Sequence, residues 1–276
     1  MAGNLVWMRN VSGATQPWLV ASEDHLNDQD QPRLFLLKNF CRGDEKVRVV
    51  EYICARFAHE LAFGAPRVEL LDLTPEFLEN LRRFTPEARG VDRAVPGPHV
   101  AIVWYENAME IARHQDALAS LANHTQIASI VACDTCLQNI DRHQGNLLVR
   151  PHSERQRQRQ MLVPIDWGSC FFAVAPDQEE LLAVRERRTI SSGLFLTEAV
   201  HGVDEFTPIV THLGTWSGQV AQVRGLVEWL PGTWHVPTGW KTAIAEHLLR
   251  RIDVALEVFS DAEKMARLFP NWQYTH

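Results

Sequence analysis

An amphipathic helix near the N-terminus is the feature that most constrains the fold. Its apolar stripe recurs at alternating steps of three and four and is formed by Val47, Val50, Cys54, Phe57 and Leu61. Gly64 and Pro66 end the pattern, so the spacing predicts a helix over residues 45–63. Upstream, the apolar runs at 18–20 and 34–37 flank a polar stretch and predict a hairpin. Together these patterns predict a sheet with one helix, the beginning of an α+β fold.

The pattern changes after a buried strand predicted at residues 100–105. Residues 109–140 contain neither Gly nor Pro and have a mostly helical pattern, and another helical stripe covers residues 240–259. Between them, residues 145–149 and 161–165 are typical of two short strands. The second part of the chain is therefore predicted to be helical, with one strand pair inserted.

We expect a bilobal α+β architecture from this order. Residues 1–106 would form an N-terminal lobe with an antiparallel sheet and a helix, and residues 107–276 a mainly helical C-terminal lobe.

Of the 276 residues 46% are hydrophobic and nine are Trp, which excludes an intrinsically disordered chain. The net charge of −7 argues against nucleic acid or an anionic membrane as the main partner. The basic run at 155–160 is more typical of a solvated hairpin tip.

The cysteine content indicates a reducing, cytoplasmic compartment. There are five cysteines, an odd number, and the N-terminus lacks the charged and apolar regions of a signal peptide. The apolar runs are far shorter than the roughly 18 to 20 residues that span a bilayer, so no transmembrane helix is expected. Cys133 and Cys136 have the spacing of a metal or redox pair, but no second Cys or His pair lies at ligand distance. Buried helical cysteines are the better interpretation.

Two short polar motifs carry the chemistry. Residues 141–146 read Asp-Arg-His-Gln-Gly-Asn, and residues 166–168 read Asp-Trp-Gly. Phosphate transfer from a nucleotide needs a carboxylate that orients and deprotonates the attacking hydroxyl, and oxygen ligands for magnesium. Asp141 and Asn146 are five positions apart, as in a protein-kinase catalytic loop, and Asp166 stands where the metal-binding Asp of Asp-Phe-Gly would be. The strand pair would bring Asn146 and Asp166 to the same ions.

Each motif has a plainer alternative. Asp166 would serve as a turn or cap residue at a strand end, and Asp141 as a loop carboxylate paired with Arg142. An Asp followed five residues later by Asn is frequent by chance, but the ordered pair of motifs with strand patterns around it is much rarer. The pair therefore favours a phosphotransferase, and it predicts partners upstream.

The expected partners are a cation on a strand, a helix carboxylate that holds it, and a phosphate loop. Lys38 ends the strand pattern at 34–37, and Glu51 lies thirteen residues later at the edge of the apolar stripe. A surface lysine and a solvated glutamate are the alternative.

A phosphate loop is predicted just before the strand at 18–20. The candidate residues offer one glycine and two hydroxyls and are Ser12, Gly13, Ala14 and Thr15. An ordinary turn would have the same composition.

These motifs resemble the catalytic cores of the phosphatidylinositol 3- and 4-kinases and of the HipA-like kinases, in which the Asp precedes Arg-His. The Ser-Gly-x-x-Gln loop, Lys38 closing its strand, the Glu51 helix that ends in Gly-x-Pro, and Asn139 two residues before Asp141 are more similar to the HipA-like group. Its members are magnesium- and ATP-dependent kinases, and the best known phosphorylate Ser or Thr of proteins as bacterial toxins. The resemblance implies a bilobal protein-kinase-like fold.

The resemblance also implies a role for each motif residue. Asp141 would be the base, Asn146 and Asp166 the magnesium ligands, and Lys38 the phosphate contact with Glu51 as its partner. These five roles are carried over by position from the resemblance.

Further nucleotide contacts are implied on both sides of the site. Ser12 to Thr15 would be the phosphate loop. Trp104, Tyr105 and Glu106 would form the hinge between the lobes, where backbone groups can pair with the adenine edge. His143 would donate to the transferring phosphoryl group, with a structural histidine as an equal alternative.

The expected function is an ATP- and magnesium-dependent kinase that transfers the γ-phosphate to a hydroxyl, with Ser or Thr of a protein as the leading acceptor. A lipid or small-molecule kinase and a nucleotide-binding pseudokinase scaffold are the alternatives. No polybasic patch favours a lipid, and a scaffold has no need of the base Asp141.

Two further expectations concern partners and regulation. Only about ten residues precede the phosphate loop, where the full toxin architecture has a further region, which puts a toxin role and an antitoxin partner in doubt. Residues 169–201 should hold the acceptor platform. Ser191 and Ser192 follow three arginines and suit self-phosphorylation, although a solvated polar loop is the better interpretation.

Overall fold

The computed structural model describes most of the chain. The described residues are 5–11, 17–27, 30–38, 40–41, 43, 45–111, 118, 121, 125–152, 159–171, 181 and 192–269. The predicted phosphate-loop residues Ser12, Gly13, Ala14 and Thr15 lie outside them, and so do Ser191 and most of the predicted hairpin tip and acceptor platform.

The N-terminal part contains a five-stranded antiparallel sheet with the strand order β1-β2-β3-β5-β4. Its strands are β1 (Leu5–Asn10), β2 (Trp18–Leu26), β3 (Pro32–Lys38), β4 (Val68–Leu73) and β5 (Gly97–Val103). β2 and β3 form the predicted hairpin, and β5 is the predicted buried strand. The edge strands β1 and β4 have no counterpart in the sequence prediction. β1 was not predicted because Val6 and Met8 are apolar although they are exposed, so the strand lacks a regular alternation of apolar and polar residues.

Two helices pack on opposite faces of this sheet. Helix α1 (Glu45–Glu60) shares a core with Leu36, Val100 and Ile102, whereas α2 (Pro75–Phe84) packs with the residues of the other face. The predicted amphipathic helix is therefore confirmed. It ends a few residues before the predicted boundary, where Ala62 and Gly64 adopt positive φ angles of 54° and 78°.

The C-terminal part is mainly helical around a small antiparallel sheet, β6-β7-β8. Its strands are β6 (Met109–Glu110), β7 (Leu147–Pro151) and β8 (Gln160–Pro164). Its helices are α3 (Thr125–Leu137), α4 (Leu194–Thr197), α5 (Thr207–Trp216), α6 (Val220–Glu228), α7 (Thr238–Phe259) and α8 (Ala262–Leu268). The α+β class, with an antiparallel N-terminal sheet and a helical C-terminal half, is confirmed, and so is the inserted strand pair.

The helical prediction for residues 109–140 was wrong at its start. Met109 and Glu110 form β6 and pair with Val149 and Leu148 of β7, so long-range pairing overrides the local helical pattern there. Within the described residues, the helix is confined to α3, Thr125–Leu137.

The two parts of the chain share one apolar core, which runs from α1 through α3 to α7. Tyr52 of α1 meets Trp234, which precedes α7, edge to face at 5.7 Å between ring centroids. The predicted lobe boundary between residues 106 and 107 stays a prediction.

Helix α3 is buried on all sides and leads directly into the 141–146 segment. Cys133 and Cys136 are fully buried in it, which confirms the interpretation as helical core cysteines. None of the described helices combines the length and apolar composition that crossing a bilayer requires.

The C-terminal end of α3 is capped by a buried arginine of α7. Arg251 donates from Nη2 to the carbonyl oxygen of Thr135 at 2.6 Å and from Nε to that of Cys136 at 3.3 Å. Carbonyls of the last helical turn have no partner inside the helix, and a cation at this end also suits the helix dipole. Arg251 therefore stabilises the point from which the 141–146 segment departs.

We expect Arg251→Ala to lower the free energy of unfolding by roughly 3 kcal/mol, because buried carbonyls lose a charged donor and the core gains a cavity. Arg250→Ala is the matched control. Arg250 is 31% exposed in its side chain and pairs with Glu257 at 3.1 Å, so its loss should cost about 0.5 kcal/mol or less. Chemical denaturation of both variants measures the difference, and equal losses would contradict this role of Arg251.

Candidate active site

Three charged side chains from distant segments converge beside the sheet. Lys38 ends β3 and is 3% exposed. Its Nζ lies 3.2 Å from Oε2 of Glu51 on α1 and 2.7 Å from Oδ1 of Asp166, which follows β8. The structure thus brings together the predicted cation, its predicted helix partner and the predicted metal-binding carboxylate.

Glu51 also holds the segment that carries Asp166. Its side chain is fully buried, and Oε2 accepts a second hydrogen bond from the backbone N–H of Trp167 at 3.0 Å. A Cβ on Gly168 would lie 3.2 Å from this oxygen and 3.1 Å from Val47, which is tighter than most Cβ contacts, so glycine favours this close approach to α1. The Asp-Trp-Gly motif therefore docks on α1 through backbone contacts.

The backbone at Asp166 is unusual. Its φ angle is 65°, in the left-handed region that non-glycine residues seldom adopt and that Asp and Asn tolerate best. Such conformations persist where the surroundings hold them, and they concentrate at functional sites. Here the holding contacts are the ion pair to Lys38 and the bond from Trp167 to Glu51.

Burial and charge oppose each other in setting the pKa values of these groups. Burial lowers the pKa of Lys38, but Glu51 and Asp166 raise it, and the pKa ends above its ordinary value. Burial raises the pKa of Asp166, yet Lys38 and then Arg142 bring it below its ordinary value. For Glu51 burial outweighs the opposing effect of Lys38, so the pKa is raised. Lys38 and Asp166 are therefore a charged pair at neutral pH.

Asp141 is exposed, while its backbone is fixed on both sides. Its N–H donates to Oδ1 of Asn139 at 3.1 Å, and its carbonyl accepts from Nδ2 of Asn146 at 2.8 Å. The carboxylate is open to an incoming molecule although the chain beneath it is held.

Asn146 lies in a short 3-10 turn, Gln144–Asn146, directly before β7, and is buried. Because Nδ2 is used on the carbonyl of Asp141, the amide presents its oxygen, Oδ1, as the remaining polar atom. The carbonyl of Asn146 accepts from the N–H of Ile165 at 3.0 Å, so the backbone next to Asp166 runs beside it. An amide oxygen and a carboxylate are ligands that suit Mg²⁺, and these residues fit a magnesium site.

His143 is exposed and has a local structural contact. Its Nδ1 accepts from the N–H of Gly145 at 3.0 Å and caps the 3-10 turn. A Cβ on Gly145 would lie 2.9 Å from the ring, so a larger residue at 145 would push the ring out of its present position. With Nδ1 as acceptor, the neutral ring carries its proton on Nε2, which is the atom left to donate to a ligand.

A buried ion pair beneath this loop has no counterpart in the sequence prediction. Arg142 contacts Asp134 of α3 through Nε and Nη2 at 3.0–3.2 Å. Its Nη1 donates to the carbonyls of Asn146 and Ile165 at 2.8 and 2.6 Å, and the guanidinium lies 4.5 Å from the ring centre of Trp167. Arg142 therefore ties the two motifs together. One signal was available, since Asp134 is the only charged residue of an otherwise uncharged helix and a buried charge needs a partner.

Two of the three predicted hinge residues already have contacts within the protein. The N–H of Trp104 donates to the carbonyl of Leu34 at 2.9 Å, so this group is not open to a base edge. Tyr105 lies under the guanidinium of Arg150, 4.4 Å from its ring centre, and Glu106 is exposed. An adenine contact at these residues stays a prediction.

The described residues on either side of the predicted phosphate loop lie next to the strand that ends in Lys38. The N–H of Val11 donates to the carbonyl of Pro17 at 2.9 Å, which closes the β1–β2 hairpin. Trp18 then pairs with Leu37, the neighbour of Lys38. The residues that flank the loop therefore lie at the level of the cation.

Residues 109–188 match the family of the phosphatidylinositol 3- and 4-kinases, and this segment contains both polar motifs. No curated protein matches the chain. The overall structure is similar to the crystal structure of the Helicobacter pylori proinflammatory kinase CtkA, with a TM-score of 0.57 at 13% identity, over 94% of this chain and 97% of that one. The chain has a kinase-like fold. The family match supports phosphotransfer as the general class of chemistry, with ATP as the general phosphate donor.

The Lys38–Asp166 pair predicts a specific pH dependence. Because the pKa of Asp166 is lower in the folded protein, the pair stabilises the fold above the unfolded-state value of about 3.9. This stabilisation is lost as the pH falls through the folded-state pKa. We expect wild type to exceed Asp166→Asn in unfolding free energy by a constant amount from pH 5 to pH 8, with the difference shrinking below pH 4. Asn is the chosen replacement because it also tolerates the left-handed backbone conformation of Asp166.

Denaturation at several pH values measures this difference. Lys38→Met is the matched background, because without the cation Asp166→Asn should have a smaller effect at neutral pH. An effect of Asp166→Asn that is equal in both backgrounds would contradict the ion pair as its origin.

Proposed function

We propose that the protein is an ATP- and Mg²⁺-dependent kinase of the HipA-like type that transfers the γ-phosphate to the hydroxyl of Ser or Thr in a protein. The observation that carries the proposal is the convergence of Lys38, Glu51 and Asp166 at 2.7–3.2 Å from three separate segments. A buried lysine held between two carboxylates is the arrangement that a phosphate contact and a metal ligand require.

The charge of the site supports a metal-dependent reaction. Lys38 contacts the carboxylates of Glu51 and Asp166, whereas Arg142 is already paired with Asp134. A nucleotide triphosphate would add further negative charge. We propose Asn146 and Asp166 as the residues that hold Mg²⁺, which when bound would neutralise the phosphate oxygens.

Asp141 is the proposed base. Its carboxylate is exposed, and the hydrogen bonds from Asn146 and to Asn139 hold its backbone in place. In the proposed reaction the acceptor oxygen bonds to the γ-phosphorus, the bond from that phosphorus to the ADP oxygen breaks, and the acceptor proton passes to Asp141. His143 is proposed to donate from Nε2 to the transferring group.

The remaining nucleotide contacts are also proposals. Ser12, Gly13, Ala14 and Thr15 would contact the phosphates, and the pairing of Trp18 with Leu37, the neighbour of Lys38, supports this. Trp104, Tyr105 and Glu106 would contact the base, and the N–H of Trp104 is excluded from this role by its bond to Leu34.

An exposed apolar residue beside the base favours a protein acceptor. Ile140 directly precedes Asp141, and its side chain is 57% exposed. Arg142, which follows Asp141, is buried and would offer no charge to an anionic headgroup. We propose that a peptide whose hydroxyl reaches Asp141 would place a neighbouring side chain against Ile140.

A lipid or small-molecule kinase is the second candidate, and the match of residues 109–188 to the phosphatidylinositol kinases favours it. A pseudokinase scaffold is disfavoured, because the exposed and firmly held Asp141 has no use in nucleotide binding alone.

Incubation with γ-labelled ATP and Mg²⁺ tests the proposed function. We expect label on protein from a cell lysate, reduced at least about a hundredfold in Asp141→Ala and in Asp166→Ala, because base and metal ligand both act in the transition state. Asp72→Ala, an exposed carboxylate on β4, is the matched control.

Three outcomes separate the candidates. Label that is confined to a lipid extract would favour the second candidate. ATP stabilisation of about 2.7 kcal/mol at a hundredfold excess over Kd, without any transfer, would indicate a scaffold. The absence of both stabilisation and transfer would contradict every nucleotide-based function.

Ile140 predicts a preference among acceptor peptides. Wild type should phosphorylate a peptide with Leu beside the serine with a kcat/KM about tenfold above that for the same peptide with Glu, because one apolar contact is worth about 1.4 kcal/mol. Ile140→Arg should reverse the preference by charge complementarity. Phe84→Arg, at an apolar side chain that is 67% exposed on α2, should leave it unchanged. Equal rates for both peptides in wild type would contradict this contact.

A further inference from the structure

Asp134 connects the residues of the candidate site although it does not line the site. It is fully buried on α3 and accepts hydrogen bonds from three side chains, those of Asn139, Arg142 and Ser192. Two of these contacts lead to the catalytic motifs. The third leads to the chain segment that follows them.

The first contact fixes the proposed base. Asn139 donates from Nδ2 to Asp134 at 3.1 Å, and its Oδ1 accepts the N–H of Asp141 at 3.1 Å. The side-chain amide of Asn139 thus bridges the buried carboxylate and the backbone of Asp141. Its orientation is set by Asp134, because a carboxylate can only accept.

The second contact fixes the proposed metal ligands. Arg142 is held by Asp134 with its guanidinium aimed at the carbonyls of Asn146 and Ile165. These carbonyls belong to one proposed ligand and to the residue before the other. A change in the position of Arg142 therefore moves Asn146 relative to Asp166.

The third contact comes from a segment far along the chain. Ser192 donates from Oγ to Oδ2 of Asp134 at 3.0 Å. A Cβ on the adjacent Gly193 would lie 2.4 Å from the carbonyl oxygen of Arg142, so only glycine can pack there. The chain at 192–193 is thus seated directly on the 141–146 segment.

We propose that Ser192 is a positioning residue for phosphotransfer, which couples the segment after the Asp-Trp-Gly motif to the metal ligands through Asp134 and Arg142. The inference rests on the proposed function. The Ser192 hydroxyl supplies one of the donors that hold the Asp134 carboxylate in place. Without it, Oδ2 of Asp134 keeps only the bond from Nε of Arg142, so the carboxylate and the guanidinium paired with it are held in position less firmly.

The test compares two Ser192 variants that differ in the hydroxyl. Ser192→Ala should lower kcat about tenfold, the fold-change for one hydrogen bond to a charged group, and raise the Mg²⁺ concentration for half-maximal transfer about threefold or more. The KM for ATP at saturating Mg²⁺ should not change. Ser192→Thr keeps the hydroxyl and should restore both quantities.

Ser129→Ala is the matched control. The hydroxyl of Ser129 donates to the carbonyl of Thr125 at 2.9 Å within the same helix as Asp134, so its removal costs a hydrogen bond without touching the carboxylate. Ser129→Ala should retain the wild-type kcat and Mg²⁺ dependence.

Several results would overturn the inference while leaving the proposed function intact. These are wild-type kcat and Mg²⁺ dependence in Ser192→Ala, equal defects in the Ala and Thr variants, or a lower melting temperature as the sole effect. If wild type transfers no phosphate, the proposed function fails. The inference is then tested by the affinity of wild type and Ser192→Ala for Mn²⁺ in the presence of ATP, which electron paramagnetic resonance measures. A Ser192→Ala affinity equal to wild type, or no Mn²⁺ binding by wild type, overturns the inference as well.

Discussion

Lys38 is buried only because two carboxylates from distant parts of the chain meet it. An unpaired ammonium in an apolar interior would lose its proton or remain in water. β3 provides the cation, α1 provides Glu51, and the turn after β8 provides Asp166. The pair therefore forms only when sheet, helix and hairpin are packed together. Buried ion pairs of this kind contribute little net stability, but they specify how the elements that carry them are arranged.

The second buried ion pair, between Arg142 and Asp134, has a different effect. Both groups belong to one region, and their contacts with each other and with nearby backbone carbonyls neutralise the charge of Arg142 within the fold. Among the described residues of the site, Lys38 is then the cation left to face an anionic ligand, and it lies between two carboxylates. This excess of carboxylates repels a free nucleotide and favours a metal-bound one. The Arg142–Asp134 pair therefore holds the backbone of the site in place, whereas Lys38 and its two carboxylates set the charge of the site.

Local patterns account for what could be predicted from the sequence. α1, α7 and the β7–β8 pair have clear apolar periods, and their existence was predictable. Met109 and Glu110 were not predictable as a strand, because their pairing partner lies far along the chain. The motif order identified Lys38, Glu51 and Asp166 as neighbours. Ser192 left no local trace, since its partner Asp134 is 58 residues away, and the roles of all these residues stay predictions.

The cap that Arg251 places on α3 has a consequence for the order in which the protein is made. Chains leave the ribosome N-terminus first, and domains fold as their parts become available. Every motif residue discussed for catalysis has been synthesised long before residue 251. Until then the last turn of α3 lacks the donor for its carbonyls, and the loop that begins there has no firm base. A nascent chain that ends before residue 251 therefore lacks this cap, although it already contains every motif residue.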